Sequence, residues 1–384
     1  MRHAPTLGLI VAGLALGAHW RTACAAQWSI EPTLGWLVNY DSNPQLLESG
    51  AQATAGTTLS ADATLKRATE ITELDLRPHL DLQRFASDAA LNSDNGSLQG
   101  SFTARTERSS LALTSGYEHT STLTTELSDT GIIDAAVYRD TTSAGLSLTH
   151  ALGERQHLDL EGSYANVVFP GGEQLGLVGY RYPSASLSDT IGTSEVTSIS
   201  ATAFTDRLSA PLVGYDSRDT GARLGVSYAH SARLSAGASA GVVETTVADY
   251  TQHGYVWDLH ATRSGELDQW TVSLNRTVQP SGRGFLLLRE AASLSFSESV
   301  APQLFVTGTL QYVRNSNLAS GPFFDVPRYE SADAGLEWHP TEHLVLSLTA
   351  GVREIREPTS DATPRGWHTA FNTRWAPRAP SVSR

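Results

Sequence analysis

Trp367-His368-Thr369-Ala370-Phe371-Asn372-Thr373-Arg374-Trp375, close to the C-terminus, sorts onto two faces with a period of two. Trp367, Phe371 and Trp375 fall on one face, with Thr369 and Thr373 between them. His368, Asn372 and Arg374 fall on the other. Side chains alternate across an extended strand, so this period marks a strand with one apolar and one polar side. A strand that is aromatic outside and polar inside, and that ends on an aromatic, suits a closed barrel crossing a bilayer.

The same alternation recurs along most of the chain. Trp28, Ile30, Leu34, Trp36, Val38 and Tyr40 form the first outward set. Leu74, Leu76, Leu80 and Leu82 form another, as do Leu158, Leu160, Tyr164 and Val168. Trp270, Val272 and Leu274 continue the series, and Leu344, Leu346, Leu348 and Val352 come near its end. About eighteen such segments, sixteen at the fewest, predict an all-β fold. The expected architecture is a single closed antiparallel transmembrane β-barrel over residues 27–375, with a short periplasmic tail at 376–384.

Bulk composition agrees. The chain has 384 residues, of which 40% are hydrophobic, and its mean hydropathy is −0.20. Beyond the N-terminus no run of 18 apolar residues exists to make a membrane helix. A barrel wall looks this polar because only alternate residues face lipid. A soluble β-sandwich would alternate too, but it would pack denser, branched residues on its apolar faces than the Ala, Gly and Thr found here. A β-solenoid would show a fixed short repeat, and none is present.

Arg2 and His3, the apolar Leu7 to Ala18, and the small residues Ala23 to Ala26 predict a secretory signal over 1–26. Cys24 is the only cysteine. Arg21, three residues before it, argues against a lipoprotein signal. Cleavage there removes the cysteine, so no disulfide or thiol chemistry is expected. The net charge of −13 argues against nucleic acid as a partner.

Connections are expected to alternate in length. Short ones fall near 67–70, 106–109, 152–156, 230–233, 263–268 and 339–343. Long ones fall near 41–52, 84–97, 119–140, 205–221, 244–253, 313–329 and 354–366. Outer-membrane barrels pair short periplasmic turns with longer external loops, and an even strand count returns both termini to the periplasm. Aromatic residues flank the expected apolar band at its two interfaces. Trp28, Trp270, Phe296, Trp338 and Trp375 lie toward the short turns. Tyr117, Tyr164, Tyr255, Trp257, Tyr312 and Trp367 lie toward the long loops, with Trp36 and Phe371 on the same outer surface.

The opposite face carries the charge. Glu73, Asp75, Arg77, Asp81, Arg105, Asp159, Glu161, Arg223, Asp258, Arg289, Asp333, Glu337, Arg353 and Arg374 are expected to line the lumen. His79, His157, His260, His339 and His368 share that face. Side chains cannot fill a barrel of this size, so water enters and the charges stay solvated. That predicts a hydrated conduit whose field selects solutes. Inward aromatics look scarce apart from Phe305.

Catalysis is not expected. His119, Asp140 and Ser143, or His253 and Asp258, offer serine-hydrolase residue types, but no nucleophile motif flanks them. His157-x-Asp159-x-Glu161 puts three possible metal ligands on one face; on a solvated wall these read as lining. No cofactor is expected.

Tyr40-Asp41-Ser42-Asn43 resembles the opening of the β-barrel porin family of exopolysaccharide-secretion loci. Gly335-Leu336-Glu337-Trp338-His339-Pro340, followed by Leu344 to Arg353, is similar to that family's closing hairpin, and Tyr180-Arg181-Tyr182 adds a mid-chain likeness. The resemblance implies an integral outer-membrane barrel of a Gram-negative bacterium that helps polysaccharide reach the surface. A general or small-solute porin and a closed-lumen structural or adhesin barrel are the alternatives. Implied partners are outer-membrane lipid and lipopolysaccharide, the barrel-assembly machinery and a periplasmic polysaccharide export protein. The residues after Trp375 depart from the usual ending on the terminal aromatic.

Overall fold

The computed structural model describes residues 26–123, 137–231, 233–247, 250–318, 328–356, 363–377 and 381–383. All but the last residue of the expected signal segment lies outside them. The chain folds as a meander of long strands. They are β1 (Gln27–Asp41), β2 (Thr54–Ala68), β3 (Thr72–Phe85), β4 (Ser93–Arg105), β5 (Ser109–Ser121) and β6 (Tyr138–Ala151). Next come β7 (Gln156–Val168), β8 (Tyr180–Gly192), β9 (Thr197–Ala210), β10 (Tyr215–Ser231), β11 (Leu234–Val247) and β12 (Tyr250–Ser264). The wall ends with β13 (Asp268–Pro280), β14 (Leu286–Ala301), β15 (Leu304–Asn317), β16 (Arg328–Thr341), β17 (Leu344–Arg356) and β18 (Arg365–Trp375).

Each strand pairs antiparallel with the next, and β1 pairs with β18, so the sheet closes as an eighteen-stranded barrel. Closure joins the first strand to the last, so the ladder pairs strand to strand around the wall, as a bilayer demands. The seam runs Leu34↔Trp375 through Asp41↔His368. That register leaves the first residues of β1 beyond the reach of β18. A last strand, β19 (Ser381–Ser383), pairs there with Gln27–Ser29.

Register puts residues of like character in rows. Val38, Phe371 and Leu348 lie side by side across β1, β18 and β17, as do Leu59 and Leu82 across β2 and β3. These residues are exposed on the outer wall, the surface that lipid covers. Trp270 stacks on Phe296 with ring centroids 5.0 Å apart. Phe296 lies over Gly308 of β15, where a Cβ would collide with the ring. At the long-loop end Tyr40 and Trp367 meet across the seam at 4.9 Å.

The connections at one end are all short: 69–71, 106–108, 152–155, 193–196, 232–233, 265–267, 302–303 and 342–343. At the other end 42–53, 86–92, 122–137, 169–179, 318–327 and 357–364 are longer. Two expected long loops do not exist. Residues 205–221 are β9, one 3-10 turn at Pro211–Val213 and β10; β11 and β12 take up 244–253 almost entirely. Their outward residues are polar (Arg207, Asp216, Arg218, Glu244 and His253), so the apolar signal stops while the pairing runs on. Conversely, 169–179 and 281–285 connect strands at the long-loop end where no long connection was expected.

Candidate functional site: the lumen and its mouth

Alternation fixes what the lumen contains. The register places all fourteen expected lining residues on the inward face, from Glu73, Asp75, Arg77 and Asp81 on β3 to Arg374 on β18. Many are bound to a neighbour on the same face. Lys66 holds Glu73 at 2.6 Å, and Arg77 lies 3.6 Å from Asp75. His79 sits between Asp62 at 2.6 Å and Asp81 at 3.0 Å. His157 lies 3.4 Å from Asp159, His260 3.0 Å from Asp258, His339 2.5 Å from Glu337 and His368 2.7 Å from Asp333. Arg353 pairs with Asp41. Arg289 is near Gln279, which accepts from it at 3.4 Å. Arg77, Arg105, Glu161, Arg223 and Arg374 remain exposed to the interior. Among the described residues no group of three acidic, histidine or cysteine side chains could hold a metal ion, so His157, Asp159 and Glu161 do not form a site.

The expected aromatics stand on the outer face. Trp28, Trp36, Tyr117, Tyr164, Tyr255, Trp270, Trp338, Trp367, Phe371 and Trp375 are well exposed there, and Trp257 and Tyr312 share the same parity. Arg67 lies 5.7 Å from the Trp28 ring near the short turns. Toward the long loops the guanidinium of Arg276 lies 3.9 Å from the Tyr255 ring and 2.6 Å from Glu290. These outward ion pairs above the apolar belt were not anticipated.

Inward aromatics are more numerous than the sequence predicts. Besides Phe305, the register turns Phe85, Tyr180, Tyr182, Phe204, Tyr215 and Tyr329 inward. In β9 the outward residues are mostly Ala, Ser and Thr, and in β8 they include Arg181 and Asp189, so the contrast that would have shown the parity is weak.

The Tyr40-Asp41-Ser42-Asn43 stretch works at the seam. The Ser42 backbone N–H donates to the Trp367 carbonyl at 3.0 Å, and the Trp367 N–H donates back to the Ser42 hydroxyl at 2.8 Å. The Asn43 side-chain amide donates to the Arg365 carbonyl at 3.2 Å, while Asp41 Oδ1 accepts from the Asn43 N–H at 2.9 Å. These residues clasp the first strand to the last.

Two apolar clusters narrow the mouth at the long-loop end. Leu46, from the 42–53 loop, packs on the inward Val313, Tyr329 and Ile355. Opposite, Phe169, Leu177 and Val178 of the 169–179 loop pack with Val167, Tyr180, Leu208, Ala210 and Leu286. The Val178 N–H donates to the Gly282 carbonyl of the β13–β14 connection at 2.8 Å. Strands β9 to β12 lie between those two connections, so the contact bridges the mouth. On the inward side of β5 to β13 lies a cavity of about 420 Å³, walled by Glu161, Phe204, Asp206, Asp219 and Arg223.

His119 and Asp140 pair at 2.5 Å, but on the outer face, whereas Ser143 is inward; His253 and Asp258 likewise face opposite sides. Neither set forms a catalytic array.

A closed eighteen-stranded barrel with an aromatic-flanked apolar belt outside and a polar lumen inside has the architecture of an outer-membrane channel. The chain is such a barrel, and it resides in the Gram-negative outer membrane. No family model matches the sequence, and no curated protein matches it. Solved structures similar to it are barrels as well. OccAB2 of Acinetobacter baumannii is 12% identical over 91% of this chain and 97% of its own, with a TM-score of 0.49. A BenF-like porin from Pseudomonas fluorescens Pf-5 is 10% identical over 94% and 99%, with a TM-score of 0.48. The FrpB iron transporter from Neisseria meningitidis is 9% identical over 86% of this chain, with a TM-score of 0.47, and the chain spans 62% of its length. At these identities and TM-scores the likeness carries no functional argument.

Proposed function

We propose that the protein conducts polar solutes across the outer membrane through its lumen. The observation that carries this is the polar lining of the lumen between the short turns and the apolar contacts at the mouth. Charged and hydroxylic residues line the inward face around the wall, several of them unpaired by any neighbour and open to the lumen. Water and small ions can occupy such a space, and its fixed charges set which pass. The apolar contacts at the mouth make the 169–179 loop the gate of this path. The same loop sets the size limit.

The cargo we propose is an exopolysaccharide segment moving outward, as the resemblance of Tyr40–Asn43 and Gly335–Arg353 implies. The inward ring of Phe204, midway along the lumen wall, favours this reading, because a flat ring gives sugar rings a surface to stack on. Lipopolysaccharide, the barrel-assembly machinery and a periplasmic polysaccharide export protein are its proposed partners.

The purified barrel in a planar bilayer tests the channel. It is expected to give discrete conductance steps, and replacing Glu161 and Glu337 by Gln should shift the reversal potential toward anions. The shift should fade near 1 M salt, where the Debye length is about 3 Å. A lumen that never conducts, with the loop removed as well, overturns the channel. A deletion strain separates the cargoes: polymer trapped in the periplasm supports export, whereas normal surface polymer with slowed solute uptake supports a small-solute porin.

A further inference from the structure

Asp206 of β9 and Asp219 of β10 are direct cross-strand partners, and both are inward. Like charges directly opposite each other destabilise a strand pair. Among the described residues no Lys, Arg or His forms an ion pair with either; Arg223 acts on Asp206 only from a distance. The nearest inward guanidinium on these strands, Arg223, stands over the Phe204 ring at 5.8 Å instead. Asp219 is 1% exposed, and neither of its carboxylate oxygens has a hydrogen-bond partner. Thr245, opposite Asp219 on β11, is also buried, and its hydroxyl is likewise without one. A buried carboxylate is unfavourable without a counter-charge and donors. Both carboxylates border the cavity of about 420 Å³ on the lumen side, a volume in the range of small-molecule pockets.

We infer that Asp206 and Asp219 form a subsite for a primary ammonium group, carried by a small organic cation or an amino sugar. That this group belongs to transported cargo rests on the channel reading; the binding itself does not. The donors required fit the acceptors present. An ammonium offers three tetrahedral N–H donors, and the wall offers two carboxylates and a hydroxyl. A guanidinium prefers one carboxylate gripped in its plane. A hard divalent cation such as Ca²⁺ takes six to eight oxygens, more than this wall presents, and no described acidic group of three exists. Phe204, on the same wall, gives the carbon skeleton an apolar surface. Glu161 adds a further carboxylate to the cavity and Arg223 its one cation, so carboxylates outnumber cations there, which favours a cationic ligand.

Glucosamine and N-acetylglucosamine differ at the amino group, where only the former carries an ammonium. Calorimetric titration of the detergent-solubilised barrel should show one glucosamine bound per chain, at least tenfold more tightly than N-acetylglucosamine. Asp219→Asn and Asp206→Asn, isosteric changes, should each reduce glucosamine binding to the level of the acetylated sugar. Heat-dependent gel mobility verifies that each variant is a closed barrel. Equal binding of the two sugars, or unchanged glucosamine binding in both variants, overturns the subsite. So does an infrared band of a protonated carboxyl at pH 7 that is lost in Asp219→Asn and that glucosamine does not displace: the pair would then share a proton. Because calorimetry needs no current, a barrel that binds glucosamine yet never conducts would count against the channel alone.

Discussion

One position along a strand separates two solvents. Leu346 lies opposite Trp338 and Thr373 on the outer face, and Ser347 lies opposite Glu337 and Asn372 on the inner. Leu346→Arg places a charge on the lipid side beside the short-turn girdle residue Trp338, where the cost is about 1 kcal/mol rather than the larger cost of the bilayer midplane. Ser347→Arg points into water beside Glu337. Urea unfolding of the vesicle-inserted barrel should show a lowered midpoint for the first and a near wild-type midpoint for the second; equal loss from both would mean the segment is not lipid-exposed on one side. At this scale the sequence was most legible, because each residue's parity follows from its neighbours. What parity cannot show is who pairs with whom. Glu337 and His339 are neighbours on one strand, but Asp41 and Arg353 are 312 residues apart. The pairing of Asp206 with Asp219 is hidden from the sequence for the same reason. Nothing local marks two aspartates as facing one another until the β9–β10 register is known.

Strands were found where lipid made them visible, and their ends were lost where it did not. The outward polar residues of β9 to β12 stand beyond the apolar belt, so loops were expected over residues that in fact continue the ladder. The 169–179 loop escaped notice for the opposite reason. Its Phe169, Leu177 and Val178 look like strand residues, but they serve to fold the loop inward. Gly284 is part of that fold. Its φ is +78°, and a side chain there would have its Cβ 3.0 Å from Val178 Cγ1 and 3.1 Å from the Ala210 Cβ. Gly284→Val therefore meets both backbone strain and crowding, typically worth at least 1 kcal/mol. It should loosen the Val178–Gly282 contact and raise single-channel conductance while the barrel stays intact. Unchanged conductance in a heat-modifiable barrel would show that this loop does not gate the pore.

For the whole molecule, the decisive property is closure. Seventeen hairpin contacts would leave two raw edges in a bilayer; the β1–β18 seam removes them, and the Ser42 and Asn43 bonds to β18 hold it at the rim. A closed barrel whose backbone pairs within the sheet has no exposed edge from which to open in lipid. The protein should therefore resist SDS until boiled and migrate differently in heated and unheated lanes. Identical mobility in both lanes, together with solubility free of detergent, would contradict the transmembrane reading.

Sequence alone was enough to establish the strand type, the two faces of each strand, the near count of eighteen and the polar lumen, because lipid and water impose a period of two on every crossing. Tertiary structure decided the rest. Closing the sheet set the shear that leaves room for β19 beside β1, brought Tyr40 against Trp367, and put Asp206 opposite Asp219. It also turned two apolar loop segments into a constriction. Those contacts join residues far apart in the chain, and their geometry follows from ring closure and register, which no local pattern of hydrophobicity encodes.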